Sequence, residues 1–231
     1  MLGVLVNTIG VILGSLLGLA LRRGIPEKVS KAVMTAIALC VLYLGISGSL
    51  GISNAIVVIL AMVLAAAVGT LLDIDGAVTR LGNYVEQKMR RPQEAGRPSI
   101  SEGFVTASLL FCVGSMAIVG SLNAGLSNDN SMLFAKSVLD TVSAIMLSVS
   151  LGLGVMLSGL ALLIYQGGIV LLAQVLRPIL SAEAIALMGG TGSLLILALG
   201  LNMLGMTKIK VADFLPAILF APIIGAIVAL L

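Results

Sequence analysis

Apolar runs of about 20 residues recur along nearly the whole chain, and the basic residues cluster in only some of the breaks between them. A helix needs roughly 20 apolar residues to cross the hydrocarbon core of a bilayer, and the chain holds enough such runs to cross about eight times. The spans read as residues 3–21, 32–50, 54–74, 103–126, 133–155, 158–176, 183–204 and 211–231. The stretch 131–178 has no polar break, yet it is too long for one crossing. It suits two crossings joined by a tight turn near Gly152, Gly154 or Gly159. Only 10% of the residues are charged, against about 25% in soluble domains, so no water-facing surface can be built from this chain. The expected fold is all-α: a polytopic transmembrane bundle in which residues 1–231 form one domain.

Placement of Lys and Arg sets orientation in a membrane more than net charge does. With the amino terminus outside, the cytoplasmic loops hold Arg22, Arg23, Lys28, Lys31, Arg80, Lys88, Arg90, Arg91, Arg97, Lys208 and Lys210. The opposite side holds only Lys136 and Arg177. An even number of spans then puts both termini outside. The amino terminus lacks the basic segment of a secretory signal and is read as a retained span. The longest polar stretch, 75–101, is cytoplasmic. Val78, Leu81, Val85 and Met89 share one face of an amphipathic helix at the membrane surface, and a Pro- and Gly-containing linker follows. Membrane lipids are therefore partners. Nucleic acid is not, because no basic face is present.

The chain has no histidine, which removes His-based acid–base catalysis, the HExxH zinc motif and any Ser-His dyad. The two cysteines, Cys40 and Cys112, fall inside apolar runs and read as small buried hydrophobes. A GxGD motif is also missing, so an intramembrane aspartyl protease is not expected. No enzyme chemistry and no bound cofactor are indicated.

Polar residues inside the spans carry the functional signal. Gly10, Gly14 and Gly18 repeat at four-residue spacing, which lets another helix backbone approach closely, inside the chain or across a dimer. Asn7 and Thr8 precede them and are candidates for an interhelical hydrogen bond or a pathway lining. Span four is interrupted by Gly114, Ser115, Gly120, Asn123 and Gly125, and span seven by Gly189, Gly190, Thr191, Gly192, Ser193, Gly200 and Asn202. Paired Gly-interrupted spans point to a transporter binding site, although tight packing alone also explains them. Spans one to three echo spans six to eight as an inverted repeat. Lys136 and Asp140 lie four apart on one face of span five. Ionisable groups at membrane depth mark a pathway or an internal pair, unless the helix simply begins in water there. Ser143, Ser148 and Ser150 continue that polar side, and Gln166 and Gln174 add uncharged amides in span six. Asp73, Asp75 and Asp213 read as span-end residues.

Several of these features together resemble a bacterial family of multi-spanning proteins, the YdfK/YqgA type, catalogued as a domain of unknown function. The resemblance rests on the opening Gly3-Val-Leu-Val-Asn7-Thr8 and on Phe111-Cys112-x-Gly114-x-x-Ala117-Ile118-x-Gly120-x-x-Asn123-x-Gly125. It continues through Leu133-x-x-Lys136-Ser137-x-Leu139-Asp140, Gly189-Gly190, Gly200-Leu201-Asn202 and Pro216. It implies an integral inner-membrane protein and no established activity.

The reading that follows is a secondary transporter or channel for a small ion or polar solute. Its path is expected near spans four and seven and the Lys136–Asp140 pair. With no nucleotide-binding motif present, Na+ or H+ is the candidate coupling ion. A two-fold homodimer is expected from size and symmetry. The alternative is a non-transporting scaffold or sensor subunit.

Overall fold

The computed structural model describes residues 1–22, 27–88, 99–113, 115–176 and 180–228, and among these every regular element is helical. The elements are α1 (Leu2–Arg22), α2 (Glu27–Ser49), α3 (Ala55–Leu71), α4 (Ile74–Lys88), α5 (Ile100–Cys112) and α6 (Ser115–Leu126). They continue with α7 (Ser131–Leu151), α8 (Leu153–Leu171), α9 (Ala173–Leu176), α10 (Ala182–Met203), a 3-10 turn (Val211–Phe214) and α11 (Ala217–Val228). Asn54, Ser99 and Ser181 cap α3, α5 and α10, each side chain accepting from a backbone amide three residues on.

Five segments are long and apolar enough to cross a bilayer unaided: α1, α7, α8, α10 and the segment Val211–Val228. Two bent pairs, α3 with the start of α4 (53°) and α5 with α6 (60°), raise the number to seven, and Met34–Ser49 is a shorter apolar helix. Five to seven segments thus meet the length and apolarity of a crossing, and the expected eight is reached only when the shorter apolar helix Met34–Ser49 is counted as well.

Two compact units make up the chain. The first comprises Met1–Ile37 and Thr79–Val175, the second Ala38–Val78 and Leu176–Leu231. Spans one and six of the expected repeat thus fall in the first unit, and spans two, three, seven and eight in the second.

In the first unit α1 packs along α7 in parallel, because glycine removes the side chains that would hold the backbones apart. A Cβ at Gly14 would lie 2.6 Å from the Thr141 carbonyl oxygen, one at Gly10 would strike the Thr141 hydroxyl, and one at Gly18 the Ile145 carbonyl. The glycine face is occupied by α7 of the same chain. Gly152, at φ +76°, turns the chain from α7 into the antiparallel α8, with the Arg22 guanidinium beside it. At the other end of the unit Val4, Ala124, Leu133 and Val170 form a small apolar cluster.

α1 shows the logic of a hydrocarbon solvent. Leu5, Ile9, Leu13, Leu16 and Leu17 are exposed on its outer face, whereas Asn7, Thr8, Gly14 and Ser15 are buried. A water-soluble helix places these classes the other way round.

In the second unit Val57, Val58, Ala61, Leu187 and Ala221 bring α3, α10 and α11 together. The helix α10 runs unbroken from Ala182 to Met203. The expected interruption of span seven is therefore absent. Its glycines are places of close approach, Gly190 to Ile52 and Gly200 to Leu42, and Ser193 lies against Gly48. Intrahelical hydrogen bonding survives glycine when neighbouring side chains fill the space. The amphipathic segment forms α4, bent away from α3. The linker 91–98 and Met89 lie outside the described residues.

Candidate functional site

Three helices of the first unit bring four polar side chains to one buried layer. Asn7 is five residues into α1 and Lys136 five residues into the parallel α7, while Gln166 is five residues from the end of the antiparallel α8. At 1.5 Å per residue all three lie about 7.5 Å from the same end of the unit, and Asp140 is about 6 Å deeper. Local contacts fix this register. Asn130 accepts a hydrogen bond from the Gly3 amide (2.9 Å), tying the starts of α1 and α7 together. At the start of α7 the Asp129 carboxylate accepts from the Ser131 amide (3.0 Å) and hydroxyl, which hold that carboxyl below the usual carboxylate range.

The layer is built around an ion pair. The Lys136 ammonium donates to both carboxylate oxygens of Asp140, at 2.7 and 2.5 Å, and both side chains are under a tenth exposed. Lys136 is thus inside the bundle rather than in water at a helix start. Asn7 Nδ2 donates to Asp140 Oδ2 (2.9 Å) and, more weakly, to Gln166 Oε1 (3.4 Å).

These bonds orient both amides. A carboxylate only accepts, so Asn7 must turn its NH2 toward Asp140, and Gln166 must then turn its oxygen toward Asn7. Asn7 Oδ1 and Gln166 Nε2 are left buried without a protein partner. One free acceptor and one free donor therefore sit beside a neutralised charge pair.

Other buried hydroxyls of this unit share that property. Thr8, Ser15, Thr106, Ser108, Ser121, Ser148 and Ser150 have no hydrogen-bond partner in the protein. Ser148 and Ser150 are near the Gly152 end, Ser15 is midway along α1, and Thr8 adjoins Asn7. Leaving a buried polar group unbonded costs about 1–3 kcal/mol, and a hydrocarbon surround offers no relief. A series of such groups along the interior fits water or a polar solute better than dry packing.

The remaining candidates divide. Gly114 and the side chain of Ser115 lie outside the described residues. Asn123 is half-buried near the end of α6, where its carbonyl accepts from Ser127 and Asp129. Ser143 does not join the site: it is exposed on α7 beside Val142, because three residues beyond Asp140 the helix has turned past the inner face. Gln174 is exposed as well.

In the second unit Thr191 is buried with an unpartnered hydroxyl, and Ser193 donates to the Gly189 carbonyl (2.8 Å). Asn202 is fully employed in a turn. It accepts from the Ile209 amide (2.9 Å) and the Thr207 hydroxyl (2.7 Å) and donates to the Ile209 carbonyl (2.7 Å). Asn202 closes the loop around Gly205 and is not free to line a path.

Both cysteines are free, and Cys40 is exposed rather than buried. Among the described residues no group of three or more His, Cys, Asp or Glu could hold a metal ion. Sequence reasoning missed Asp213. It is 3% exposed and accepts from the Asp75 amide at the start of α4 (2.8 Å), while its backbone fills the gap left at Gly69. It also missed Ser15, Thr106, Ser108 and Ser121. Small hydroxyls scattered through apolar runs carry no spacing signal of their own.

An all-helical chain with a polar, partly unbonded interior and an apolar outer face is an integral membrane protein. Residues 2–226 match the family described as a protein of unknown function, DUF554, and the chain belongs to that family. It is 29% identical over 228 residues to the uncharacterized membrane protein YdfK of Bacillus subtilis (strain 168), covering 97% of this chain and 95% of that one. It is 30% identical over 224 residues to the uncharacterized protein YqgA of Escherichia coli (strain K12), covering 95% and 94% respectively. No solved structure matches.

Proposed function

We propose that the protein moves a small ion or polar solute across the bacterial inner membrane, as a channel or a secondary transporter and not as an enzyme. The observation that carries this reading is the buried Lys136–Asp140 pair, bonded to Asn7, next to the unpartnered Asn7 Oδ1 and Gln166 Nε2. Ionisable groups at this depth are costly and usually belong to a pathway. The unbonded hydroxyls of the same unit extend the polar interior toward its other end. The path is assigned to the first unit, with span seven no longer part of it.

Orientation is part of the same proposal, with both termini outside. The parallel course of α1 and α7 requires an odd number of crossings between them, which α2, the α3–α4 pair and the α5–α6 pair supply as three. Na+ or H+ is the proposed coupling ion. If two copies pair, they do so through a face other than Gly10, Gly14 and Gly18.

Purified protein in liposomes, with Na+ and H+ gradients imposed separately and flux of ions and polar solutes recorded, tests the proposal. Wild-type flux that is abolished in Asp140→Asn and Lys136→Ala supports it. Folded wild type that carries no ion or solute above protein-free liposomes refutes it.

A further inference from the structure

The unused hydrogen-bond valences of the buried layer specify the chemistry of what can bind there. Three of the roughly four acceptor sites of the Asp140 carboxylate are filled, two by Lys136 and one by Asn7. Lys136 and Asp140 cancel, so the layer has no net charge. A cation seated on Asn7 Oδ1 would lie only two hydrogen bonds from the Lys136 ammonium, and the other unpartnered amide atom of the layer, Gln166 Nε2, can only donate. An anion seated on Gln166 Nε2 would share the layer with the Asp140 carboxylate and Asn7 Oδ1, which can only accept. Neither sign of charge finds a shell of like partners, and among the described residues no cluster of metal-binding side chains supplies one elsewhere.

The free groups do match a neutral molecule. Asn7 Oδ1 accepts, Gln166 Nε2 donates, and the unpartnered hydroxyl of the adjoining Thr8 does both. We infer, resting on the transport reading above, that Asn7 and Gln166 beside the Lys136–Asp140 pair form a site for a small uncharged solute bearing both a hydrogen-bond donor and an acceptor, of the polyol or amide class. The ion pair acts as the fixed scaffold: it orients Asn7, Asn7 orients Gln166, and the two free amide ends face the solute. Because the solute carries no charge, its passage without a coupled ion moves none across the membrane.

The test uses the full-length protein in liposomes with glycerol and urea as probes, swelling followed by stopped-flow light scattering, and Na+, K+ and Cl− fluxes measured on the same preparation. Faster swelling than in protein-free liposomes with glycerol or urea, unchanged by an imposed membrane potential, is the expected result. Gln166→Leu should slow that swelling about tenfold, the loss of one hydrogen bond of about 1.4 kcal/mol to the solute. Gln166→Met keeps the length of the side chain without adding a charge but deletes the free donor, and should slow it likewise if the leucine variant does not fold. Ion flux without swelling overturns this inference and leaves the transport reading standing. Swelling that both folded Gln166 variants retain overturns the site. Neither swelling nor ion flux refutes both.

Discussion

Removing one member of the Lys136–Asp140 pair should cost far more than removing both. At 2.5 to 2.7 Å, the ammonium and carboxylate attract each other by about 6–7 kcal/mol at an effective dielectric of about 20, and desolvation of the two groups offsets much of that. Lys136→Met leaves a buried carboxylate whose remaining partner is the Asn7 amide. Asp140→Leu leaves an ammonium with no described acceptor. Each single variant should lose about 3–5 kcal/mol, the usual effect of stranding one charge of a buried pair. The double variant replaces the pair with apolar side chains and should lie within about 1 kcal/mol of wild type or above it. Denaturant unfolding in a mild detergent, followed by helical signal, gives all four corners of the cycle, and the coupling should exceed about 3 kcal/mol. Single losses below about 1 kcal/mol that simply add in the double variant would show that water already solvates each group separately. A tightly coupled, mutually neutralised pair would then be the wrong description.

Other expectations are quicker to check. Gly14→Leu should destabilise the α1–α7 contact by about 1–3 kcal/mol, seen as a lower melting temperature in detergent, because its Cβ already meets the Thr141 carbonyl. Gly168→Ala, which meets nothing within 4 Å, should melt at or slightly above the wild-type temperature as helix propensity improves. Asn202→Ala gives up three hydrogen bonds of the Gly205 turn and should cost about 1–3 kcal/mol while leaving flux per folded molecule unchanged. Lys208→Cys should be labelled by an impermeant thiol reagent only from the cytoplasm, and Asn128→Cys only from outside. The reverse pattern would invert the proposed orientation.

Helical membrane architecture is legible from the sequence because one physical requirement, satisfying every backbone group inside hydrocarbon, forces long apolar helices. The i, i+4 spacing of Lys136 and Asp140 likewise places them on one face without knowledge of the fold. Their partners are another matter. Asn7 and Gln166 are 133 and 26 residues from Asp140 along the chain, and only helix packing brings them to the same depth. Glycine density was ambiguous for a related reason. The same residue type marks the turn at Gly152, the α1–α7 contact and the continuous α10, and what decides among these is the neighbour that fills the space. Ser143 and Asn202 show the corresponding error for polar residues. One lies on the outer face, and the other closes a loop. Asp213 was hidden because its partner, the Asp75 amide, is 138 residues away.

The central claim is that the polar layer of the first unit is reached by water from the aqueous phase. Cysteine accessibility in intact membranes tests it most directly, in a background where Cys40 and Cys112 are replaced by alanine. Gln166→Cys and Thr8→Cys should react with a small hydrophilic methanethiosulfonate, and Leu160→Cys, on the exposed apolar face of the same helix as Gln166, should not. Folded Gln166→Cys and Thr8→Cys proteins that stay unreactive from both sides of the membrane would mean a dry, structural ion pair and no pathway.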